Sequence, residues 1–362
     1  MNDPITAIGL MSGTSMDGID VATITTDGVT VVDHGPGHTM AYPAAFRDRL
    51  GDAVAQGQAL EAQEEAMIGD EIARLHAEAI EALTPQPTAT LIGFHGHTLW
   101  HAPEIGQTRQ AGNGALLAAL TGIDTVNDMR SADMHAGGQG APLAPLYHAA
   151  LAKGLPGPIA VLNLGGVGNL TFIDGEQVLA FDTGPGNAPL DDWVNSKAGL
   201  PFDEGGALAA SGRVDEGLVA SWRANPYFDR PPPKSLDRNA FQFDGLDRLN
   251  LEDGAATLAA FTIATVVDSR HHVPVKPIRW LVTGGGRHNA FLMAQLANQL
   301  GSPVEPVESV GWNGDLLEAQ AFAFLAVRSR RGLPLTRPTT TGVSQPTVGG
   351  IFHPTEKSSK RS

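Results

Sequence analysis

The sequence predicts an α/β protein built from two lobes, because one pattern of strands and turns occurs twice, about half a chain apart. The pattern is an apolar strand, a glycine-rich turn, a second strand, a tight turn and a third strand. It covers residues 5–38 and again residues 159–182. An internal repeat constrains architecture more strongly than any single element does. We therefore expect two lobes that each begin with a three-stranded antiparallel meander and that face each other across a cleft.

The first copy contains strands at residues 5–11, 20–26 and 29–38. A glycine-rich turn at residues 12–18 separates the first two strands, and Asp27-Gly28 forms a typical hairpin turn before the third. Apolar residues then recur on one face of a helix over residues 60–83, which Pro85 ends. A strand at residues 90–94 follows.

The second copy contains strands at residues 159–164, 170–173 and 178–182. Its turns are Gly165-Gly166-Val167-Gly168 and Asp174-Gly175. A weakly polar stretch at residues 254–267 is too short to span a bilayer, which takes about 20 helical residues, so we expect a buried helix there. A later strand at residues 278–283 ends in three glycines.

Two such lobes around a nucleotide cleft have the architecture of the actin and sugar-kinase superfamily, in which each lobe is ribonuclease-H-like (actin/hexokinase-type). We assign residues 1–130, joined by the segment 335–355, to the N-terminal lobe and residues 131–334 to the C-terminal lobe. The proline-rich stretch at residues 224–235 is predicted to be a surface loop inside the second lobe, because periodic structure resumes after it. The alternative is that the two meanders arose by coincidence.

Composition excludes several classes of function. The 362 residues carry a net charge of -15, whereas a nucleic-acid surface needs a basic stripe. The chain has 0 cysteines, which excludes disulfides, zinc–thiolate sites and thiol nucleophiles and suits a reducing compartment. The N-terminus lacks the basic region and apolar run of a signal peptide. We expect a cytoplasmic protein that binds neither nucleic acid nor a membrane.

The turn at residues 13–18 is a candidate phosphate site. Its glycines allow the backbone N–H groups to approach an anion closely, and its hydroxyl groups add donors. Asp17 is the candidate ligand for Mg²⁺. The turn is not a Walker loop, since no lysine follows the glycines. A polar hairpin turn without a ligand is the alternative.

Two further glycine turns lie in the second lobe. Gly165 and Gly166 occupy the position equivalent to the first turn and would bind the same triphosphate. Gly284, Gly285 and Gly286 follow a buried strand and open a helix, which favours close contact with adenosine. A dinucleotide fold is excluded, because the run is not G-x-G-x-x-G and lacks a suitably spaced acidic residue.

Asp182 ends the third strand of the second lobe, just before Gly184-Pro185-Gly186. A carboxylate at a strand end beside a cleft is well placed to act as a general base. The alternative is that Asp182 or Asn187 only caps the helix that begins near Pro189.

Arg130 is predicted to bind a carboxylate in the cleft, with a buried Arg130–Asp133 pair as the alternative. His95 and His97 share one face of a strand, which suits two metal ligands. A third ligand at suitable spacing is missing, so a zinc site is disfavoured.

The chain resembles the anhydro-N-acetylmuramic acid kinases from Gly9 to about His353. The motifs that carry the resemblance are MSGTSMDGID at residues 11–20, GFHGHT at 93–98, GGQGAPL at 137–143, NLGGVGN at 163–169, FDTGPGN at 181–187 and GGGRHN at 284–289. The resemblance implies that ATP is bound by Gly13, Thr14, Ser15, Met16, Asp17, Gly18, Ile19, Asp20, Gly165, Gly166, Asn169, Gly284, Gly285, Gly286 and Asn289.

The resemblance also implies an unusual reaction. The enzyme would hydrolyse the 1,6-anhydro bond of 1,6-anhydro-N-acetylmuramic acid, phosphorylate O6 and release ADP during turnover of the cell wall. Asp182 would activate the water, and Glu318, which matches a family glutamate, is the second catalytic candidate. We expect His97, Thr98, Arg130 and Asp182 to bind the amino sugar. A homodimer is one expectation for the assembly.

Three other functions remain open. A conventional sugar-hydroxyl kinase would use the same fold with Asp182 as base. An ATP-independent glycosidase would need paired carboxylates, such as Asp191 and Asp192 or Asp203 and Glu204, although neighbours in sequence seldom face one cleft. An actin-like assembly protein would bind ATP without turning over a sugar.

Overall fold

The computed structural model describes residues 3–13, 15–237, 241–355 and 358. The chain divides into two compact units, Met1–Lys153 with Leu316–Ser362, and Gly154–Asp315. Residues 131–153 and 316–334 thus belong to the first unit, whereas the predicted lobes placed them in the C-terminal lobe. The reason is packing: α5 (Pro145–Leu151) contacts α11 (Leu317–Arg330), and α11 lies on the sheet of the first unit.

The strands, in chain order β1 to β13, are Ile5–Met11, Gly18–Thr26, Val31–Ala41, Leu91–Phe94, His97–Ala102, Gln107–Ala111, Asp124–Asn127, Ile159–Leu164, Val167–Asp174, Gln177–Pro185, Arg279–Thr283, Val304–Pro306 and Ile351–His353. The α-helices, in chain order α1 to α12, are Ala44–Gln56, Ala62–Glu81, Gly114–Thr121, Ser131–His135, Pro145–Leu151, Ala188–Ala198, Ala207–Ser211, Glu216–Arg223, Leu251–Asp268, Ala290–Leu300, Leu317–Arg330 and Pro338–Thr341. Among the described residues, no helix is long and apolar enough to cross a membrane.

The sheet of the first unit has the order β13-β7-β4-β1-β2-β3. The pairs β1–β2 and β2–β3 are antiparallel, so the predicted meander is confirmed. β4 pairs with β1 and β7 pairs with β4, both in parallel. β13 adds an antiparallel strand at the edge.

The sheet of the second unit has the order β10-β9-β8-β11-β12. Here too the first three strands form an antiparallel meander, and the next two join in parallel. When the strands within each sheet are numbered in chain order and β13 is set aside, the strand order of both sheets is therefore 3-2-1-4-5. This is the ribonuclease-H-like topology, and it confirms both the predicted fold class and the internal repeat.

The first unit buries both faces of its central strands. Ile8 and Leu10 of β1 point into a core formed with α1, α2 and α3. Gly9, between them, faces α11, and a Cβ added to Gly9 would lie 1.7 Å from the carbonyl oxygen of Ala319. Gly93 of β4 meets the same helix, at 2.0 Å from the carbonyl oxygen of Phe322. The contact is therefore backbone against backbone, and it fixes the position of Glu318 on α11.

The second unit is organised around α9, which contains the helix predicted at residues 254–267. It packs against α6, α7, α8 and α10 and against β10. Trp193, Trp222, Phe261 and Trp280 fill the core between these helices and the sheet. The burial of residues on all sides of α9 explains its continuous apolar sequence.

Candidate active site

The glycine-rich turn between β1 and β2 is held in shape by its own hydrogen bonds. Met16 N–H donates to the carbonyl oxygen of Gly13 at 3.1 Å, and the Ser15 hydroxyl donates to Asp17 Oδ1 at 2.7 Å. Met16 has a φ of 55°, which is a strained value for a residue with a long side chain. Thr14, predicted to bind ATP, lies outside the described residues. The turn thus combines a strained backbone with an exposed carboxylate, Asp17.

Behind this turn lies a buried polar chain. The Tyr42 hydroxyl donates to Ser12 Oγ at 2.9 Å, and Ser12 Oγ lies 2.9 Å from His97 Nδ1. Since Tyr42 uses the serine oxygen as acceptor, Ser12 donates its own proton to His97. Burial lowers the pKa of His97 to about 4, which keeps the imidazole neutral. His97 therefore lies behind the turn, while the neighbouring Thr98 donates to Gln110 Oε1 at 2.9 Å.

The end of the turn runs into β2. A Cβ on Gly18 would lie 2.4 Å from the carbonyl oxygen of Met40, so the strands approach too closely for any other residue there. The side chain of Ile19 is fully buried in the core. Asp20 is half-buried, and its Oδ1 accepts a hydrogen bond of 2.5 Å from the Thr39 hydroxyl.

Arg130 forms a bridge beside the loop at residues 137–140. Its Nη1 donates to the carbonyl oxygen of Gly140 at 2.7 Å, and its Nη2 lies 3.0 Å from His95 Nε2. Burial and the arginine charge hold the pKa of His95 well below its usual value, so His95 is a neutral acceptor. Asp133 accepts from the Gly140 N–H at 2.7 Å and from the Thr341 hydroxyl at 2.6 Å. Arg130 and Asp133 thus bind the carbonyl oxygen and the N–H group of the same glycine, Gly140.

Glu318 belongs to the same electrostatic cluster. Burial raises the pKa of its carboxyl group, the like charge of Asp20 raises it further, and Arg130 lowers it. Glu318 therefore favours the protonated state more than an exposed glutamate does. The structure brings together Asp20, Arg130 and Glu318, although they lie far apart in the sequence.

In the second unit, two of the predicted motifs are joined through the backbone. Gly186 N–H donates to the carbonyl oxygen of Gly166 at 3.1 Å, and Asn187 N–H donates to that of Gly165 at 2.8 Å. A Cβ on Gly186 would lie 2.3 Å from the Gly165 carbonyl oxygen. Asn187 does not cap α6 with its side chain but donates to Asp191 Oδ2 at 2.8 Å.

The glycine motif at residues 284–289 packs on the motif at residues 163–169 of the same unit. A Cβ on Gly284, whose φ is 76°, would lie 2.3 Å from Asn163 Oδ1, and one on Gly286 would lie 2.6 Å from the Cβ of Leu164. The Asn289 side chain accepts from Leu292 N–H at 3.0 Å and so caps α10. The almost fully buried Arg287 anchors the loop through two ion pairs. Its Nε lies 3.0 Å from Glu308 Oε1, and its Nη2 lies 2.6 Å from Asp315 Oδ1. Gly285, in contrast, is exposed with open space around it.

Asp182 lies at a bulge near the end of β10, opposite Asn169 of β9. It is only 6% exposed, and its Oδ2 accepts from Leu236 N–H at 2.8 Å. The backbone is fixed as well: Asp182 N–H donates to the Lys234 carbonyl oxygen at 2.9 Å, and the Tyr227 hydroxyl donates to the Asp182 carbonyl oxygen at 2.8 Å. Asp182 is therefore not a helix cap in the described structure, and its carboxylate is held in one orientation.

Sequence reasoning missed Tyr227, Lys234 and Leu236. They lie in a loop with no periodic pattern, and only the three prolines at residues 231–233 mark it as rigid. Of the carboxylates named for the glycosidase alternative, Asp203 accepts from Leu208 and Ala209 N–H groups at 2.8 and 3.0 Å and so holds the start of α7. Asp191 Oδ2 accepts from the Asn187 side chain at 2.8 Å. In the described part of the chain, no group of three or more His, Asp or Glu side chains has metal-binding geometry.

The residues present fit a triphosphate with Mg²⁺. Asp17 and Asp20 lie close enough that both raise the pKa of Tyr42, after the larger effect of burial. Mg²⁺ binds proteins through one or two carboxylates and takes its remaining ligands from phosphates and water. A Cβ added to Gly13 or Gly165 would lie no closer than 3.6 Å to another atom, and one added to Gly285 would meet nothing within 4 Å. The backbone at these glycines is therefore open to the close approach of an anion.

Comparison with known proteins assigns the family. The family model described as anhydro-N-acetylmuramic acid kinase matches residues 5–355. The protein of that name from Rhodospirillum rubrum is 53% identical over 352 residues, which cover 96% of this chain and 94% of the relative. The one from Paramagnetospirillum magneticum is 52% identical over 355 residues, covering 96% and 99%. The chain belongs to the anhydro-N-acetylmuramic acid kinase family.

Proposed function

We propose that the protein uses ATP and water to convert 1,6-anhydro-N-acetylmuramic acid into N-acetylmuramic acid 6-phosphate and ADP, in the recycling of peptidoglycan. The observation that carries the mechanism is the setting of Asp182. Its carboxylate is nearly buried, is oriented by Leu236 N–H, and lies near the end of β10, whose last two residues pair with Val167 and Gly168. A fixed carboxylate of this kind is suited to take a proton from water.

The chemistry of the substrate requires such a base. The bridge oxygen is an ether oxygen and has no proton to lose, so it can accept the γ-phosphoryl group only if its bond to C1 breaks. Water then forms the new bond to C1, and its proton passes to Asp182. The bridge oxygen keeps the electrons of the broken bond and becomes the phosphorylated O6. One carboxylate therefore serves both the hydrolysis and the phosphoryl transfer.

ATP is assigned to the glycine turns. The turn at residues 13–18 and the turn at Gly165 and Gly166 would bind the phosphates through backbone N–H groups, and the loop from Gly284 to Asn289 would contact adenosine. Asp17, with Asp20 beside it, would hold Mg²⁺, which when bound neutralises charge on the transferring phosphoryl group. The lack of a lysine in the turn makes the metal and the N–H groups the main source of positive potential.

The sugar is assigned to the cluster of Arg130 and Glu318. Arg130 is already oriented by Gly140 and His95, and its planar guanidinium suits the lactyl carboxylate of a muramic acid. Thr98 would add a hydroxyl contact, while His97 supports the phosphate turn through Ser12. We place the reaction in the cytoplasm, where ATP is available, and expect no nucleic-acid or membrane partner for a chain with a net charge of -15.

Release of ADP with a panel of sugars tests the proposal. We expect turnover with the anhydro sugar and none with free N-acetylmuramic acid or without ATP. Asp182→Asn keeps the size of the side chain but cannot take the proton, so kcat should fall about 10²–10⁴-fold while MgATP still binds. Equal turnover of free N-acetylmuramic acid would instead indicate a conventional sugar-hydroxyl kinase, and filaments with ATP but no sugar turnover would indicate an assembly protein.

A further inference from the structure

The loop at residues 225–237, here called the Asp182 loop, contacts Asp182 at three points. The Tyr227 hydroxyl binds the Asp182 carbonyl oxygen, the Lys234 carbonyl oxygen binds the Asp182 N–H, and the Leu236 N–H binds the carboxylate, at 2.8, 2.9 and 2.8 Å. The backbone and the side chain of Asp182 therefore depend on the shape of one irregular loop.

Lys234 holds that loop in its shape. Lys234 is only 6% exposed, and its ammonium group donates to the carbonyl oxygens of Tyr227 and Phe228 at 3.1 and 3.0 Å. It also lies 4.8 Å from the centre of the Tyr227 ring, a cation–π distance. A lysine is seldom buried to this degree unless its charge is used. Here the ammonium group of Lys234, two residues before Leu236 at the end of the loop, binds the carbonyl oxygen of Tyr227 near its start.

We propose that Lys234 is a positioning residue for the reaction: by bridging the two ends of the Asp182 loop, its ammonium group sets the orientation of the Asp182 carboxylate. The inference rests on the proposed role of Asp182 as the base. Among the described contacts, no other side-chain cation joins the two ends of the Asp182 loop. Without the Lys234 ammonium group, the Leu236 N–H and the Tyr227 hydroxyl would therefore lose their alignment on Asp182.

The charges around Lys234 support this role. Burial lowers its pKa to about 8, Asp229 and Asp182 raise it, and Arg230 lowers it. His272 Nε2 lies 3.5 Å from the ammonium nitrogen, and burial, together with the lysine charge, lowers the pKa of His272. Because the attraction between Lys234 and Asp182 is mutual, the lysine favours the ionised carboxylate that a general base requires. Removal of the lysine charge should therefore raise the pKa of Asp182.

Lys234→Met tests the proposal, because methionine keeps an unbranched side chain but has neither charge nor donors. We expect kcat to fall about 10²-fold, the size of effect that a displacement of about 1 Å of a reacting group produces, with the KM for ATP unchanged. The acid limb of the kcat profile should move to higher pH. The control is Lys276→Met, since exposed Lys276 also donates to a carbonyl oxygen, that of Gly301, in the same unit; it should behave like the unmodified protein.

A rescue experiment separates positioning from folding. The chain has 0 cysteines, so Lys234→Cys can be alkylated with 2-bromoethylamine during refolding at that site alone, which restores an ammonium group at nearly the same distance. Recovery of most of kcat supports the proposal. A folded Lys234→Met protein with full kcat and an unmoved acid limb would overturn it, as would a rescued charge without rescued activity. The role of Asp182 would fail separately, if Asp182→Asn retained normal turnover.

Discussion

At the scale of single residues, the unusual feature is a glutamate that sits beside another acid. Glu318 is half-buried, and the carboxylate of Asp20 adds a like charge to its surroundings. Arg130 offsets this only in part, because the net effect is a raised pKa. A group whose pKa is raised on folding binds more protons in the folded state than in the unfolded state. Its contribution to stability is then lost as the pH rises through that range.

Glu318→Gln should therefore stabilise the unliganded protein at pH 8, since the neutral amide avoids the burial of a charge. Below the ordinary pKa of glutamate, about 4.3, both side chains are neutral and the difference should vanish. Urea unfolding at pH 8 and at a pH below the ordinary pKa of glutamate measures the difference in the free energy of unfolding. Glu176→Gln, at an exposed hairpin turn, is the matched control and should change stability at neither pH. A Glu318→Gln protein that is less stable than the parent at pH 8 would contradict the assignment.

At the scale of elements, α11 is placed by glycines. Gly9 and Gly93 let the helix backbone lie directly on β1 and β4, and a Cβ at either position would reach within 2.0 Å of a carbonyl oxygen. The helix carries Glu318 to the cluster with Asp20 and Arg130. The depth at which α11 packs therefore determines the geometry of the cluster.

Gly9→Ala should destabilise the protein by about 1–3 kcal/mol, because the sheet and helix must separate to admit the methyl group. It should also lower kcat, since Glu318 moves with the helix. Gly51→Ala in α1 is the control: a Cβ there meets nothing within 4 Å, and alanine favours the helix by up to about 1 kcal/mol. Thermal unfolding and ADP release measure both variants. Equal stability of the Gly9→Ala and Gly51→Ala proteins would disprove the close contact.

Local patterns predicted most of the elements near the site. The strands at residues 5–11 and 159–164 are confirmed to the residue, and the helix predicted over residues 60–83 is observed as Ala62–Glu81. These elements have periodic apolar residues and clear turn signals. The predicted second strand began at residue 20 instead of 18, because its first residues read as part of the glycine turn.

Contacts between distant segments could not be predicted in the same way. Nothing local in residues 316–334 shows that they pack on β1, and the meeting of Glu318 with Asp20 and Arg130 depends on that packing. The sequence gives no reason to single out Lys234, because a lysine after three prolines usually lies in solvent. Its role appears only when the carbonyl oxygens of Tyr227 and Phe228 are seen around it.

At the scale of the whole molecule, one topology has been used twice for different tasks. Both units have the same five-stranded order, and in both a glycine turn follows the first strand. In the first unit this turn leads to Asp17 and Asp20, whereas in the second unit the meander ends in the buried Asp182. The assigned roles follow this difference: metal and phosphate for the first pair, proton transfer for the last carboxylate.

In the proposed reaction, one event breaks the bridge at C1 and phosphorylates O6. Turnover in ¹⁸O-labelled water, followed by early-time NMR and mass spectrometry of the product, tests it most directly. The bridge oxygen lies on the β face of C1, so water that displaces it in line arrives from the α face. We expect label in the C1 hydroxyl, none in the phosphate ester, and the α anomer first. Label in the phosphate group, or the β anomer first, would contradict it.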